Sequence, residues 1–255
     1  MRDARERIIV PLDVSTEKEA VELILSLREH VGIFKIGLEL LNSVGVNVVR
    51  NVVELGGSVF FDGKFMDIPN TVAGASRAVA RLGVRMFNVH AMGGVEMMRS
   101  SAESSREEAR RLGVTPPIVL GVTVLTSIDQ AILRDELRVP GSVEDHVVHL
   151  ARMVADAGLD GVIASPHEVE AIAKRVSENL LVITPGVRPA WAAATQDQKR
   201  VMTPGEAILN GASHVVIGRP ITKPPAEIGS PVEATKLVVE EINAALRRRE
   251  ANNAD

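Results

Sequence analysis

Eight short runs of β-branched and apolar residues recur along the chain, and the segments between them carry helical periodicity. The runs are IIVPLD (8–13), IFKIG (33–37), SVFFDGK (58–64), RMFNVH (85–90), PIVLGVTV (117–124), GVIAS (161–165), LLVITPG (180–186) and HVVIG (214–218). Val21, Leu23, Ile24 and Leu27 follow one helix face, as do Val147, Leu150, Val154 and Ala157. Glycine or proline punctuates most junctions, as in ELGGS, RLGV, DAGLDG and LNGASH. Strands alternating with helices imply parallel pairing and right-handed crossovers. Eight such units in 255 residues predict an α/β fold, a single (β/α)8 TIM barrel spanning 1–255. The rival, a doubly wound open sheet, would carry a glycine-rich fingerprint after the first strand, and PLDVST has none. No linker or low-complexity segment divides the chain. The tail LRRREANNAD reads as the end of a last helix, frayed from about residue 248 to 255.

Composition narrows the classes of function. A formal net charge of −4 without a basic stripe argues against nucleic-acid binding. Aromatic residues are 2% of the chain, too few for base-stacking platforms. With no cysteine there is no disulfide, zinc–thiolate site or thiol nucleophile, which fits a reducing cytoplasm. The charged start MRDARER lacks the apolar core of a signal peptide. No run approaches the roughly 18 apolar residues of a membrane span. The expectation is a cytoplasmic protein with neither a nucleic-acid nor a membrane partner.

Charges gather where strands end. Asp13 closes the first run, Lys35 sits late in the second, and Asp62 and Lys64 end the third. Period-two alternation puts Asp62 and Lys64 on one face, and Asp67 follows on the loop. In a barrel the carboxyl ends of the strands line the active face. Carboxylates and ammoniums alternating on three neighbouring strands point to chemistry there. The alternative is a network that merely satisfies buried charges, although such networks rarely gain stability over apolar packing. A metal site using the Asp cluster with His90 is a further alternative. The lysines already supply positive charge beside each carboxylate and would repel a cation, so no metal is expected. His90 reads as a hydrogen-bonded structural residue.

A second constellation follows the seventh and eighth runs. TPGVRP (184–189) and IGRP (217–220) each pair glycine with arginine: Gly186 with Arg188, Gly218 with Arg219. Glycine lets backbone N–H groups approach an anion, and arginine offers a forked pair of donors to phosphate. Barrels often bind phosphate with these two loops; the bland alternative is two capped turns with solvated arginines. Between them PAWAAATQDQKR (189–200) is long enough to fold over a ligand, with Trp191 either packing it down or incidental. Gln198 is either an extra amide donor to the phosphate or a surface glutamine. Thr203 before Pro204 predicts an N-cap with proline at the first helical position. These features together describe an enzyme for a small phosphorylated substrate.

FFDGKFMDIPNT (60–71) resembles the D-x-K-x-x-D-I-P-N-T signature of the orotidine 5′-phosphate decarboxylase family, bacterial type. The likeness continues through PLDV, FKIG, NVHAMGG, VTVLTS, LDGVIAS, TPGVRP, DQKRVMTP and VIGRP, in order along nearly the whole chain. D-x-K-x-x-D alone is shared with 3-keto-L-gulonate 6-phosphate decarboxylases and hexulose-6-phosphate synthases; the longer elements are more specific. The resemblance implies metal- and cofactor-free decarboxylation of orotidine 5′-monophosphate to UMP. It implies that Asp13 and Lys35 hold the ribose, with Lys35 also in the charge network. Asp62 would face the substrate carboxylate and Lys64 would donate the proton. Asp67 and Thr71 would reach the neighbouring subunit's site in a homodimer. Thr126 would bond the pyrimidine, and Arg188, Gln198, Gly218 and Arg219 would receive the phosphate. The rival readings are a magnesium-dependent sugar-phosphate decarboxylase or aldolase and a non-catalytic nucleotide-binding barrel.

Three positions depart from the family pattern. Gly63 stands where leucine is usual, Met66 where histidine is usual, and Pro11 where a small residue is usual. Gly63 should face away from Asp62 and Lys64, so the expected loss is of strand–helix packing. Met66 should alter loop packing or the subunit contact. Pro11 should remove a ladder bond or mark a bulge.

Overall fold

The computed structural model describes residues 4–193 and 202–252. Its strands are β1 (Ile8–Pro11), β2 (Ile33–Ile36), β3 (Val59–Phe65), β4 (Met86–His90), β5 (Ile118–Val122), β6 (Gly161–Ile163), β7 (Leu181–Pro185) and β8 (His214–Val216). They close in sequence order into a barrel. The helices are α1 (Glu17–Leu27), α2 (Leu38–Val44), α3 (Asn47–Glu54), α4 (Pro69–Ala80), α5 (Gly94–Leu112), α6 (Val143–Asp156), α7 (Val169–Arg175), α8 (Ala190–Ala193), α9 (Pro204–Leu209), α10 (Arg219–Thr222) and α11 (Pro231–Asn252). The order is that of a (β/α)8 barrel, and each predicted run coincides with a strand. The last helix continues to Asn252, past the point where fraying is expected.

The contacts cluster into two units, Met1–Phe60 with Thr184–Asp255, and Phe61–Ile183. In the first, β1 pairs in parallel with β2 (Ile9 opposite Ile33, Pro11 opposite Lys35) and with β8 (Ile9 opposite Val216). Ile8, Ile9, Val10, Ile33 and Ile36 are wholly buried, as are Val238 and Ile242 of α11. A strand covered on both faces has no solvent side, which is why IIVP shows no polar alternation. Pro11 ends β1, and the ladder resumes at once, Leu12 N–H donating to the Lys35 carbonyl at 2.8 Å. The missing N–H therefore falls at the last paired residue and leaves the strand intact. Thr203 caps α9 as predicted, in a full capping box with Glu206 and with Pro204 in the first turn.

In the second unit β4, β5, β6 and β7 pair in parallel, with Asn88 opposite Leu120 and Val122 opposite Ile163. Met86, Phe87, Val89, Val119 and Leu120 are wholly buried, each contributing about 1.5–3 kcal/mol. Helices α4 and α5 meet through small polar side chains. Ser76 and Ser101 share a 2.7 Å hydroxyl–hydroxyl bond, and Ser104 donates to the Ala73 carbonyl. At the far end buried Glu108 accepts from Arg81 Nε at 2.6 Å and from Arg111 Nη2 at 2.7 Å.

The Arg111 and Arg81 guanidiniums hold the Glu108 carboxyl down at about 2. A carboxyl more acidic in the folded than the unfolded chain stabilises the fold above its unfolded value and loses that effect as pH falls towards 2. Glu108→Gln should therefore melt below the wild type at pH 7, with the gap in Tm closing between about pH 4.5 and pH 2. Thermal melts of both proteins across that range check it; a gap constant with pH would contradict the assignment.

Candidate active site

Strand β3 presents different chemistry on its two faces. Phe61, Gly63 and Phe65 share one face, and Asp62 and Lys64 the other. Asp62 is buried, the residue 6% exposed. Lys64 Nζ donates to Asp62 Oδ1 at 2.7 Å, with the lysine side chain 29% exposed. Asn88 of β4, wholly buried, donates through Nδ2 to the same oxygen at 2.7 Å. Its Oδ1 accepts the backbone N–H of Lys64, also at 2.7 Å. Lys64 has φ 49°, in the left-handed region. For a residue with a side chain that conformation carries strain of order 1–3 kcal/mol, and here it occurs at the residue on which the proposed chemistry depends.

His90 ends β4 half-buried, on the same face as Asn88. Burial lowers its pKa, the Lys64 ammonium lowers it further, and Asp62 partly opposes both. Its imidazole has no hydrogen-bond partner among the described residues, which corrects the expectation of a bonded structural histidine. Among those residues no group of three or more acidic, His or Cys side chains is placed to hold a metal ion.

Asp67 and Thr71 are exposed. The Asp67 carboxylate turns onto its own chain, accepting the Ile68 N–H at 2.7 Å. Its apolar neighbours Met66 and Ile68 are 56% and 67% exposed. Thr126 is exposed in the turn after β5, which is closed by Ile128 N–H to the Leu125 carbonyl.

In the unit containing β1 and β8, Lys35 Nζ lies 3.4 Å from Asp13 Oδ1. Asp13 also lines a cavity of about 580 Å³ with Val14, Glu19, Leu23, Gly218 and Arg219, a volume suited to a small ligand. The predicted anion-binding pair at β8 and the predicted ribose-binding aspartate at β1 thus share one cavity. Gly186 turns the chain after β7 at φ 80°, where any side chain would be strained. Arg188 N–H donates to the Met202 carbonyl at 3.1 Å, tying together the residues that flank 194–201. Gln198 and most of the 189–200 loop lie outside the described residues; Trp191 is half-buried in α8.

The profile described as "Orotidine 5′-phosphate decarboxylase / HUMPS family" matches residues 6–235. The chain belongs to this family. It is 47% identical over 247 residues to the orotidine 5′-phosphate decarboxylase of Heliobacterium modesticaldum, covering 97% of this chain and 100% of that one. It is 48% identical over 240 residues to that of Syntrophomonas wolfei, covering 94% and 98%. A crystal structure of the enzyme from Lactobacillus acidophilus superposes with a TM-score of 0.80 at 34% identity, covering 92% of this chain and 98% of that one.

Two of the departures from the family pattern have structural explanations. A Cβ built on Gly63 would stand 2.5 Å from Phe61 Cε1 and 3.0 Å from Phe65 Cε1. The two rings, with centroids 5.7 Å apart, fill the space a side chain at 63 would take. The expected packing loss is therefore absent, because Phe61 and Phe65 supply the volume. Met66, being exposed, packs little against its own chain. Sequence reasoning missed Asn88, although a lone amide in the apolar run MFNVH was the available signal. Gly63→Leu should destabilise the fold by about 1–3 kcal/mol through overpacking. Adding Phe61→Leu should recover most of that loss. Denaturant unfolding of the double-mutant cycle measures this, and additive effects would contradict the ring-filling account.

Proposed function

We propose that this protein decarboxylates orotidine 5′-monophosphate to UMP and CO2, with Lys64 as the proton donor, and acts as a cytoplasmic homodimer without metal or cofactor. The observation that carries this reading is the 2.7 Å Lys64–Asp62 pair at the carboxyl end of β3, in a chain of the orotidine 5′-phosphate decarboxylase / HUMPS family.

Loss of CO2 from C6 leaves an electron pair on a vinylic carbon that the ring delocalises poorly. Positioning and electrostatics must lower the barrier. The Lys64 ammonium faces the developing carbanion and then protonates it as a general acid. Asp62 sits against the departing carboxylate and holds the ammonium in place; its repulsion is relieved as CO2 leaves, a contribution secondary to carbanion stabilisation. Asp13 and Lys35 hold the ribose, Thr126 the pyrimidine, and Arg188, Gln198, Gly218 and Arg219 the phosphate. That remote grip supplies binding energy that is realised at the reacting carbon.

Asp67 and Thr71 serve the partner subunit's site. Two observations support this: the Asp67 carboxylate has no ion pair with Lys64 of its own chain among the described residues, and exposed Met66 and Ile68 flank it with apolar surface suited to burial against a partner. No helix among the described residues is long and apolar enough to cross a membrane.

Absorbance-monitored turnover of orotidine 5′-monophosphate should proceed at the same rate with and without EDTA. Lys64→Ala should lower kcat by at least about 10²–10⁴-fold while UMP still binds. Loss of activity in EDTA would favour a magnesium-dependent sugar-phosphate reaction. Wild-type binding without turnover would favour a non-catalytic barrel.

A further inference from the structure

We infer that Asn88 is a positioning residue for decarboxylation, clamping the backbone of Lys64 and the carboxylate of Asp62 with the two ends of one buried amide. The inference rests on Lys64 and Asp62 being the reacting pair.

The amide's orientation is fixed by its partners. A backbone N–H can only donate, so it must meet Oδ1; an ionised carboxylate can only accept, so it must meet Nδ2. Both contacts are 2.7 Å, and the side chain is wholly buried. In that buried setting, loss of either bond leaves a polar group unpaired. The position is specific as well. Lys64 adopts φ 49°, a conformation that a lysine holds only when its surroundings over-determine it. The Asn88 Oδ1 bond to the Lys64 N–H acts on that residue directly. Its other bond lands on the same Asp62 oxygen that receives Lys64 Nζ. One side chain thus sets both the backbone from which the ammonium projects and the anion towards which it projects. Asn88 itself touches no reacting atom in this scheme and acts through its two neighbours.

A residue with this role affects the chemical step more than binding, because the Asp13, Gly218 and Arg219 cavity does not involve it. Asn88→Ala should lower kcat by about 10- to 100-fold, the order of effect of small misplacements of reacting groups. Its KM and UMP affinity should stay within about threefold of wild type. The fraction of protein able to bind UMP, counted by titration, separates slower chemistry from loss of folded enzyme. Asn88→Asp gives a second readout. Its carboxylate still accepts the Lys64 N–H but opposes Asp62 with a like charge, and only when protonated does it again donate. Among the described residues, the charged and titratable groups facing it include Asp62 and Lys64 on β3 and His90 on β4. The kcat–pH profile of Asn88→Asp should gain an ionisation, with activity recovering towards low pH, that wild type and Asn88→Ala both lack.

An unchanged kcat in Asn88→Ala, a rise in KM and UMP dissociation constant at constant kcat, or a wild-type pH profile in Asn88→Asp would overturn the inference. Failure of both variants to fold would overturn it too, making Asn88 a determinant of stability alone. Lys64→Ala run alongside separates the two levels. If it keeps turnover, the assignment of Lys64 fails and this inference with it. If it is inactive while Asn88→Ala is fully active, only the role of Asn88 fails.

Discussion

One carboxylate oxygen organises the proposed reaction centre. Asp62 Oδ1 receives both the Lys64 ammonium and the Asn88 amide, each at 2.7 Å. Burying an anion costs several kcal/mol unless it is paired and hydrogen-bonded, and here both conditions are met by neighbours on β3 and β4. The arrangement adds little to stability, since an apolar trio of similar volume would pack as well or better. Its value lies in fixing a cation at a defined point. The left-handed backbone of Lys64 has the same meaning under that proposal: strain is tolerated at the residue whose placement the proposed chemistry needs.

At the neighbouring His90, burial and the Lys64 ammonium outweigh the opposing Asp62 carboxylate. His90 lies close enough to feel both Lys64 and Asp62, and burial together with the ammonium favours its neutral form. A neutral imidazole beside the pair adds no second cation to compete with Lys64 for Asp62. The cavity at β1 and β8 has a mixed character, lined by the carboxylates of Asp13, Glu19 and Glu22 and by Arg219 and Lys223. In the proposed function Gly218 and Arg219 there would take the phosphate, and Asp13, paired with Lys35, the sugar hydroxyls. The charged groups of the proposed site thus lie in the second half of β2 and β3 and just after β1 and β8.

That placement explains what could be read from the sequence. Buried parallel strands show as continuous β-branched runs, so IIVP, IFKI and IVLGV declared themselves and all eight strands were legible in order. Charges interrupting such runs are rare enough to be informative, and Asp62 and Lys64 stood out for that reason. Asn88 did not, because an uncharged amide within MFNVH looks like any satisfied buried polar group until its two partners are known. The φ of Lys64 was illegible for a related reason: left-handed backbone is signalled by glycine or asparagine, and a lysine held there by a neighbouring strand gives no local sign. The refilling of the space at Gly63 was missed because it depends on two rings four residues apart acting together.

Gly63 also shows that the two faces of β3 meet different demands. Alternation assigns residues 62 and 64 to one face and 61, 63 and 65 to the other. The first face is constrained by three hydrogen bonds of 2.7 Å each. The second has only to fill volume, and volume can be supplied by any neighbour that reaches it. Phe61 and Phe65 reach over the glycine, with the Phe65 ring also 6.2 Å from that of Phe87. On this face aromatic rings supply the volume beside Gly63, while the Asp62–Lys64–Asn88 contacts are made on the other side of the shared backbone.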